Sequence, residues 1–293
     1  MNSEHTHNTA PTQFVEVDGV RFAYRRFGNP IGTPIVLLQH FMGNLDNYDP
    51  AITNALAHGR EVILTDNAGV GLSTGSAPQT VGAMARHAAS LIDALSLEHV
   101  DLFGFSMGGF VAQQIAVDRP ELVRRLILVG TGPRGGDGMG QLAPDVAPLF
   151  GTVHDPQDLM WLPIFFSPSE ASQAAGRRFL ERIRTRTDDR DPPVSQDTVD
   201  AHAAAAAEWG AAAPGSFDYL KRIHQPTLVV NGSNDIVIPT VNSYILQQNL
   251  QNAELILFSD SNHGSHFQFA ELFNRYIADF IDDVGADTEI LVG

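Results

Sequence analysis

The chain has 293 residues, a length that favours one large α/β domain with an insertion, or two domains. Its hydrophobic content is 43% and its formal net charge is −16. Lys221 is its only lysine, and a field of that sign repels phosphate backbones, so nucleic acid is not expected as a partner. The absence of cysteine excludes disulfides, thiolate metal sites and a cysteine nucleophile.

The start of the chain and its hydropathy give no sign of a membrane or export signal. The sequence contains no run of about 18 consecutive apolar residues, the length that a membrane span would need. Residues 1–12 are polar and lack the basic and apolar regions of a signal peptide. We therefore predict a flexible tail over 1–12, a cytoplasmic location and no membrane partner.

Segments of β and α character alternate along almost the whole chain, beginning with an antiparallel hairpin. Gln13 to Asp18 and Val20 to Phe27 alternate apolar and polar residues around an Asp-Gly pair. Pro34 to Leu38 and Glu61 to Asp66 are more continuous apolar runs, typical of strands buried on both faces. Apolar residues at helical spacing then predict a helix from Val81 to Leu95.

The next strand, Val100 to Phe103, stops at a serine that lies two residues from a glycine on either side, in Gly104-Phe105-Ser106-Met107-Gly108. Glycines at a strand end indicate a turn too tight for a β-carbon. A helix over 110–116 follows, and its N-terminal N–H groups would favour an anion beside the Ser106 oxygen. An ordinary N-cap serine in a glycine-rich turn is the alternative, but strand, turn and helix together are the context of a nucleophile elbow.

After a strand at Arg125 to Gly130, no strand pattern is visible from about Pro133 to Ser216. This stretch contains an apolar patch at 161–166 and an alanine tract at 203–207. About 80 structureless residues would be improbable inside a compact chain, so we predict a mostly helical insertion.

The alternation resumes with a strand at 226–231, a helix at 241–250, a strand at 253–258 and a closing helix at 267–281 with Ser265 as its N-cap. The pattern predicts an α/β fold, in which a mostly parallel central sheet is covered by helices on both faces. Ligands then bind beyond the carboxyl ends of the strands. The predicted domains are a core of 13–132 and 217–293 and a helical cap or lid of 133–216.

A nucleophilic serine needs a base, and the base needs an acid to orient it and stabilise its charged form. His263 follows the last strand in the loop 260–264 and is the favoured base, with His266 as the alternative in the first turn of the closing helix. Asp235 follows the strand that ends at Asn231 and is the favoured acid. Asp137, which follows the previous strand, is the alternative.

The order Ser106, Asp235, His263 resembles that of the α/β-hydrolase superfamily with a helical cap. The chain is most similar to the branch of small esterases, lactonases and cofactor-free perhydrolases often called haloperoxidases. The stretches that carry the resemblance are Leu38-Gln39-His40-Phe41-Met42-Gly43-Asn44, Asp66-Asn67-Ala68-Gly69-Val70-Gly71-Leu72-Ser73, the elbow, Gly232-Ser233-Asn234-Asp235 and Asn262-His263-Gly264.

The resemblance implies an oxyanion hole made by the backbone N–H groups of Phe41 and Met107, and no metal or cofactor. The chain departs from the family at Gln39-His40, where relatives usually carry His-Gly, and at Ala68, where they usually carry arginine. Serine at position 106 argues against epoxide hydrolase and haloalkane dehalogenase chemistry, which use aspartate there.

The expected activity is serine hydrolysis of a neutral, moderately hydrophobic small ester or lactone through an acyl-enzyme, with a small molecule as the partner and a homo-oligomer as a further possibility. Trp161, Phe165 and Phe166 would line the substrate pocket, or would instead form the cap's own small core. The alternatives are a cofactor-free perhydrolase or other triad-based oxidoreductase, a carbon–carbon bond hydrolase and, less favoured, a ligand receptor.

Overall fold

The centre of the molecule is an eight-stranded sheet, seen in a computed structural model that describes residues 5–152 and 154–282. Its order is β1-β2-β4-β3-β5-β6-β7-β8, with β1 and β2 antiparallel to their neighbours and all later pairs parallel. The predicted α/β class is confirmed. The strands are β1 Gln13–Val17, β2 Val20–Gly28, β3 Ile35–Leu38, β4 Glu61–Thr65, β5 Val100–Phe105, β6 Val123–Val129, β7 Thr227–Gly232 and β8 Ala253–Phe258.

Ten α-helices pack around this sheet in the described residues, and the two faces of the sheet carry separate hydrophobic clusters. Successive strand residues enter opposite clusters, as Ile35 and Val36 do in β3, because side chains alternate across a strand. The helices are α1 Pro50–Ala57, α2 Val81–Ala94, α3 Met107–Asp118, α4 Ala147–Gly151, α5 Trp161–Phe165, α6 Glu170–Ile183, α7 Gln196–Gly210, α8 Val241–Asn249, α9 Ser265–Gln268 and α10 Ala270–Asp282.

The order of the strands places a crevice at the carboxyl ends of β3 and β5. The chain runs from β3 outward to β4 and then returns to β5 on the other side of β3. Such a reversal leaves the two following loops diverging to opposite sides, which is where ligands bind in sheets of this kind. The loop after β3 and the elbow after β5 therefore meet at one site.

The described residues of the cap segment, by which we mean 133–216, contain α4 to α7 and no strand. The predicted helical character is present, and α7 contains the alanine tract. The structure also has a helix that we did not predict, α1, in which Asp49 is the N-cap and Pro50 the first residue. Aspartate followed by proline is a recognised start signal, so this helix was readable from the sequence.

The prediction of a flexible tail is wrong for residues 7–10. His7 and Ala10 are buried, and the Nδ1 atom of His7 lies 2.8 Å from the Thr53 hydroxyl. The Arg186 guanidinium donates to the carbonyls of His7, Asn8 and Ala10. The hydropathy of residues 7–10 does not predict this order, because the hydrogen bonds come from an arginine far away in the sequence.

The closing helix differs from its prediction because it is broken at Phe269 into α9 and α10. Ser265 is the first residue of α9 and not its cap, since Gly264 occupies the N-cap position. Among the described residues, no helix combines the length and the apolar character needed to cross a bilayer.

Candidate active site

Ser106 lies at the sharp turn between β5 and α3. Its backbone has φ 54° and ψ −118°, an unfavourable conformation for any residue other than glycine. Three hydrogen bonds hold the turn: the Ser106 N–H donates to Val129, and the Ser106 carbonyl accepts from Gly109 N–H and the Thr131 hydroxyl. This strained strand-to-helix turn is the geometry of a nucleophile elbow.

The two glycines that flank the serine are required by close backbone approaches. A β-carbon on Gly104 would lie 2.4 Å from the carbonyl oxygen of Gly108. One on Gly108 would lie 2.2 Å from the carbonyl oxygen of Leu38, the last residue of β3. The second contact brings the start of α3 against the loop that follows β3.

Ser106, His263 and Asp235 form a continuous hydrogen-bonded chain. The Oγ atom of Ser106 lies 2.9 Å from Nε2 of His263, and Nδ1 of His263 lies 2.8 Å from Oδ2 of Asp235. A carboxylate only accepts, so Nδ1 carries the imidazole proton and Nε2 is free to accept from the serine hydroxyl. All three side chains are buried.

The carboxylate of Asp235 is fixed by its own loop. Its Oδ1 atom accepts from the backbone N–H groups of Val237 and Ile238 at 2.8 Å and 3.0 Å. The other oxygen is thereby aimed at His263. The same short loop places Val237 and Ile238 in the wall of the adjacent cleft.

The structure separates each favoured residue from its alternative. His266 in α9 is buried against Phe105, with ring centroids 4.4 Å apart, and it has no contact with Ser106 among those the structure shows. Burial, together with the nearby His263 and His40, holds the pKa of His266 well below its ordinary value. Asp137 is exposed, and its carbonyl accepts from Asn242.

The loop after β3 contributes Phe41 to the same cleft as Met107, the first residue of α3. The N–H of Met107 has no intrahelical partner because of its position in the first turn. Gln39 braces the loop by donating to the Asn44 carbonyl at 3.0 Å. The side-chain oxygen of Gln39 accepts from the His40 N–H, also at 3.0 Å.

A cleft of about 860 Å³ opens above Ser106 between the sheet and the cap segment. Its described lining contains no aspartate, glutamate, lysine or arginine. Three glutamines, Thr152 and His154 supply its polar side chains besides Ser106. The apolar wall consists largely of Phe41, Met42, Met107, Phe110, Met139, Leu142, Phe150, Met160, Val194, Val199, Ala203, Ala206, Ala207, Val237 and Ile238.

The three aromatic residues that we predicted in the pocket do not line this cleft. Trp161, Phe165 and Phe166 are 4%, 1% and 1% exposed and belong to the core cluster on one face of the sheet. Trp161 and Phe165 stack at 4.8 Å and both contact the ring of His40. The alternative that we stated, a small core confined to the cap, is also not what the structure shows, because these side chains share one core cluster with residues of the sheet.

The sequence analysis missed the side chains that form the cleft wall. Ala203, Ala206 and Ala207 of α7 and Phe150 of α4 face the space above the serine, and nothing in their spacing distinguishes this face from a packed one. Ala68 lies elsewhere, packed with Phe22 and Leu91. Within the described residues, no group of three or more histidine or acidic side chains is arranged to hold a metal ion.

Comparison with known proteins agrees with this geometry. The model of the family described as alpha/beta hydrolase fold matches residues 33–270. A poly(3-hydroxyalkanoate) depolymerase of Ectopseudomonas oleovorans is 30% identical over 261 residues, covering 85% of this chain and 84% of that protein. A 2-hydroxymuconate semialdehyde hydrolase of Pseudomonas sp. (strain CF600) is 26% identical over 239 residues, covering 79% and 80%.

Two solved structures show the same similarity. An alpha/beta hydrolase fold protein from Chitinophaga pinensis superposes with a TM-score of 0.89 and 41% identity, covering 95% of this chain and 100% of that one. Est816, described as an N-acyl homoserine lactone degrading enzyme, gives a TM-score of 0.71 with 26% identity, over 92% and 100% of the two chains. The chain therefore belongs to the alpha/beta hydrolase fold family and is a hydrolase of the α/β fold.

Proposed function

We propose that the protein is a serine hydrolase that cleaves a neutral, moderately hydrophobic ester or lactone of small to medium size. The observation that carries the proposal is the hydrogen-bonded chain Ser106–His263–Asp235 at a cleft whose described lining has no aspartate, glutamate, lysine or arginine. The chain of contacts provides the nucleophile, and the cleft selects what can reach it.

The reaction begins when Nε2 of His263 takes the hydroxyl proton of Ser106 as Oγ attacks the ester carbonyl. Asp235 keeps the imidazole in the tautomer that leaves Nε2 free, and stabilises the imidazolium that forms. Since Asp235 is held by two backbone N–H groups, it needs no rearrangement to do this.

The attack places negative charge on the carbonyl oxygen, which the N–H groups of Phe41 and Met107 would stabilise. Each such donor typically contributes about 3–4 kcal/mol to the transition state. The His263 imidazolium then gives its proton to the leaving alkoxide, and an acyl-enzyme remains on Ser106. Water activated by His263 attacks the acyl carbon and releases the acid.

The chemistry of the cleft favours a neutral substrate over a carboxylated one. A carboxylate or phosphate taken from water into an apolar cleft needs a cation or several donors to offset the loss of hydration. The described lining supplies no lysine or arginine, and the net charge of −16 adds repulsion. Several relatives are named for carboxylate substrates, such as 2-hydroxymuconate semialdehyde, and we do not extend those substrates to this chain.

The neutral esters and lactones for which other relatives are named would fit the cleft better than carboxylated substrates. Poly(3-hydroxyalkanoate) is a polyester, and N-acyl homoserine lactone is an uncharged acylated ring. Glutamine side chains at 141, 157 and 196 can donate to ester or lactone oxygens, while the apolar wall takes the acyl chain. Apolar surface removed from water contributes about 25 cal/mol per Å².

The test is kcat/KM across p-nitrophenyl esters from acetate to palmitate, with N-acyl lactones and a p-nitrophenyl phosphate in parallel. Activity should be greatest at short to medium acyl chains and absent on the phosphate. Ser106→Ala serves as the background control. A maximum at palmitate, or turnover of the phosphate alone, would overturn the proposed substrate class.

A further inference from the structure

Two buried histidines, one within the loop that carries the proposed oxyanion donor and one packed against that loop, have no role in the reaction steps above. The oxyanion loop is defined here as residues 39–43. His40 belongs to it and is 2% exposed, whereas His202 lies on α7 of the cap segment and is fully buried. The ring of His202 also faces the ring of Phe41, with centroids 5.9 Å apart.

The two rings hold opposite ends of one peptide group. Nδ1 of His40 lies 2.8 Å from the Phe41 carbonyl oxygen, which can only accept, so this nitrogen carries a proton. The Met42 N–H donates to Nδ1 of His202 at 3.3 Å, so that nitrogen is unprotonated. The peptide that joins Phe41 to Met42 is thus fixed at its oxygen and at its N–H by imidazoles in opposite tautomers.

The loop needs such external contacts because its backbone is strained. Met42 has a φ of 63°, in the left-handed region that a residue with a β-carbon adopts at a cost of about 1–2 kcal/mol. Residues keep such conformations only where their surroundings determine them. Among the contacts that the structure shows for the Phe41–Met42 peptide, the one from the cap segment is that of His202.

We propose that His202 is a positioning residue that sets the oxyanion loop from the cap, so that the hole takes its working geometry only when α7 lies over the cleft. This inference rests on the proposed function, since it concerns the oxyanion hole of that reaction. His202 touches no reacting atom and acts through the backbone of Met42. The position of α7 would thereby affect the transition state through a single hydrogen bond.

The charge state of both rings is compatible with this role. Burial lowers the pKa of His202 to about 4, and burial together with His263 and His202 lowers the pKa of His40 to about 3. Both are therefore neutral at neutral pH. His40 is the titratable group that faces His202 from the oxyanion loop, and His263 lies beyond it.

The test compares three substitutions that differ in where they place an acceptor. The side-chain oxygen of asparagine takes the position of Nδ1, so His202→Asn retains an acceptor for Met42. His202→Gln places its oxygen nearer the position of Nε2, and His202→Leu has no acceptor. We expect kcat to fall roughly 10- to 100-fold in the Gln and Leu variants with KM within about threefold, and to recover most of its value in the Asn variant.

The matched control is Thr198→Val on the same helix. It removes a different hydrogen bond between cap and core, from the Thr198 hydroxyl to the Gly69 carbonyl at 2.7 Å, without touching the oxyanion loop. This variant should keep wild-type kcat at a similar loss of thermal stability. Equal losses of kcat in Thr198→Val and His202→Leu would show that His202 only anchors the cap and would overturn the inference.

A second readout does not depend on activity. Long-range ¹H–¹⁵N correlation spectra should show the Nδ1–H tautomer for His40 and the Nε2–H tautomer for His202 in the folded wild-type protein. Two identical tautomers would reject the inference whatever the substrate proves to be. If wild-type protein hydrolyses no ester or lactone, the proposed function fails, while the tautomers and the stability of the variants still report on the histidine pair.

Discussion

The carboxyl edge of the sheet and the cap segment differ in how directly the sequence determines them. At the sheet edge, Ser106, Asp235 and His263 each follow a strand by one to five residues, and the structure joins them by hydrogen bonds. In the cap segment, the residues above the cleft come from one face of α7 and from the loops and short helices between residues 138 and 160. Chain order fixes the first group, whereas only tertiary packing selects the second.

The aromatic patch and the alanine tract of the cap segment show what this difference teaches. Trp161 and Phe165 cover the sheet side, where they contact His40, because large rings gain most from complete burial. Ala203 and Ala207 face the cleft, because small side chains leave room there for a ligand. The bulk of a side chain in the sequence therefore does not tell whether it lines the cleft or packs in the core, because Phe150 lines the cleft and Phe165 does not.

The largest effect is expected at the sheet edge, from removal of the base. His263→Ala should lower kcat by about 10⁴- to 10⁶-fold, leaving the residual catalysis of binding and the oxyanion hole. His266→Ala should retain most of kcat and lose thermal stability instead, since that ring packs on Phe105 and Phe267. Steady-state kinetics and melting curves of both variants check this, and the reverse pattern would show that the base is misassigned.

Substitution of the acid sharpens the same comparison. Asp235→Asn keeps the shape of the side chain but favours the wrong tautomer of His263, and kcat should fall by about 10³- to 10⁴-fold. Asp137→Asn is the matched control, because that exposed carboxylate has no contact with His263 among those the structure shows. Similar kinetic losses in the two variants would contradict the assignment.

These contrasts also explain how much could be predicted from the sequence. The strands, the elbow and the two favoured loops follow from apolar runs and from glycines at Gly104 and Gly108, because local periodicity and close backbone approach leave clear patterns. The burial of His7 and the contact of His202 with Met42 leave none, since each depends on a residue more than 40 positions away. Long-range packing is the part that single-sequence reasoning does not supply.

A smaller effect, on stability, is expected in the cap segment. Trp161→Ala should lower the free energy of unfolding by about 3–5 kcal/mol, as removal of a buried aromatic side chain usually does. Val199→Ala, at the wall of the cleft, should cost less stability and change KM instead. Chemical denaturation measures the effect on stability, and KM for a medium-chain ester measures the effect on substrate binding. A change in KM without a loss of stability in Trp161→Ala would show that Trp161 does contact the substrate.

The smallest effect concerns a contact that joins the two regions. Asp66 follows β4 and Asp191 belongs to the cap segment, and one oxygen of each accepts the same Leu45 N–H, at 2.9 Å and 3.0 Å. Their other oxygens have no partner among the described residues. Burial and then the neighbouring Asp46 raise the pKa of Asp191 to about 6, while burial and then Asp191 raise that of Asp66 well above its ordinary value.

A raised pKa means that the folded state binds the proton more tightly than the unfolded chain does. The stability from this group is therefore complete below about pH 4 and is lost as the pH rises through about 6. Asp191→Asn removes the charge and should raise the stability by about 1–3 kcal/mol at pH 8, or roughly 2–6 °C in Tm, with little change at pH 4. A gain of equal size at both pH values would contradict this origin.

The central claim, that Ser106 is the nucleophile activated by His263, is tested most directly by covalent labelling. A fluorophosphonate should add once to the wild-type protein and abolish its esterase activity in proportion to the label. The tryptic peptide His87–Arg124 also contains Ser90 and Ser96, so fragmentation must locate the added mass. We expect the mass on Ser106, with labelling strongly slowed in His263→Ala. A label on another residue, or active enzyme that takes no label, would contradict the account.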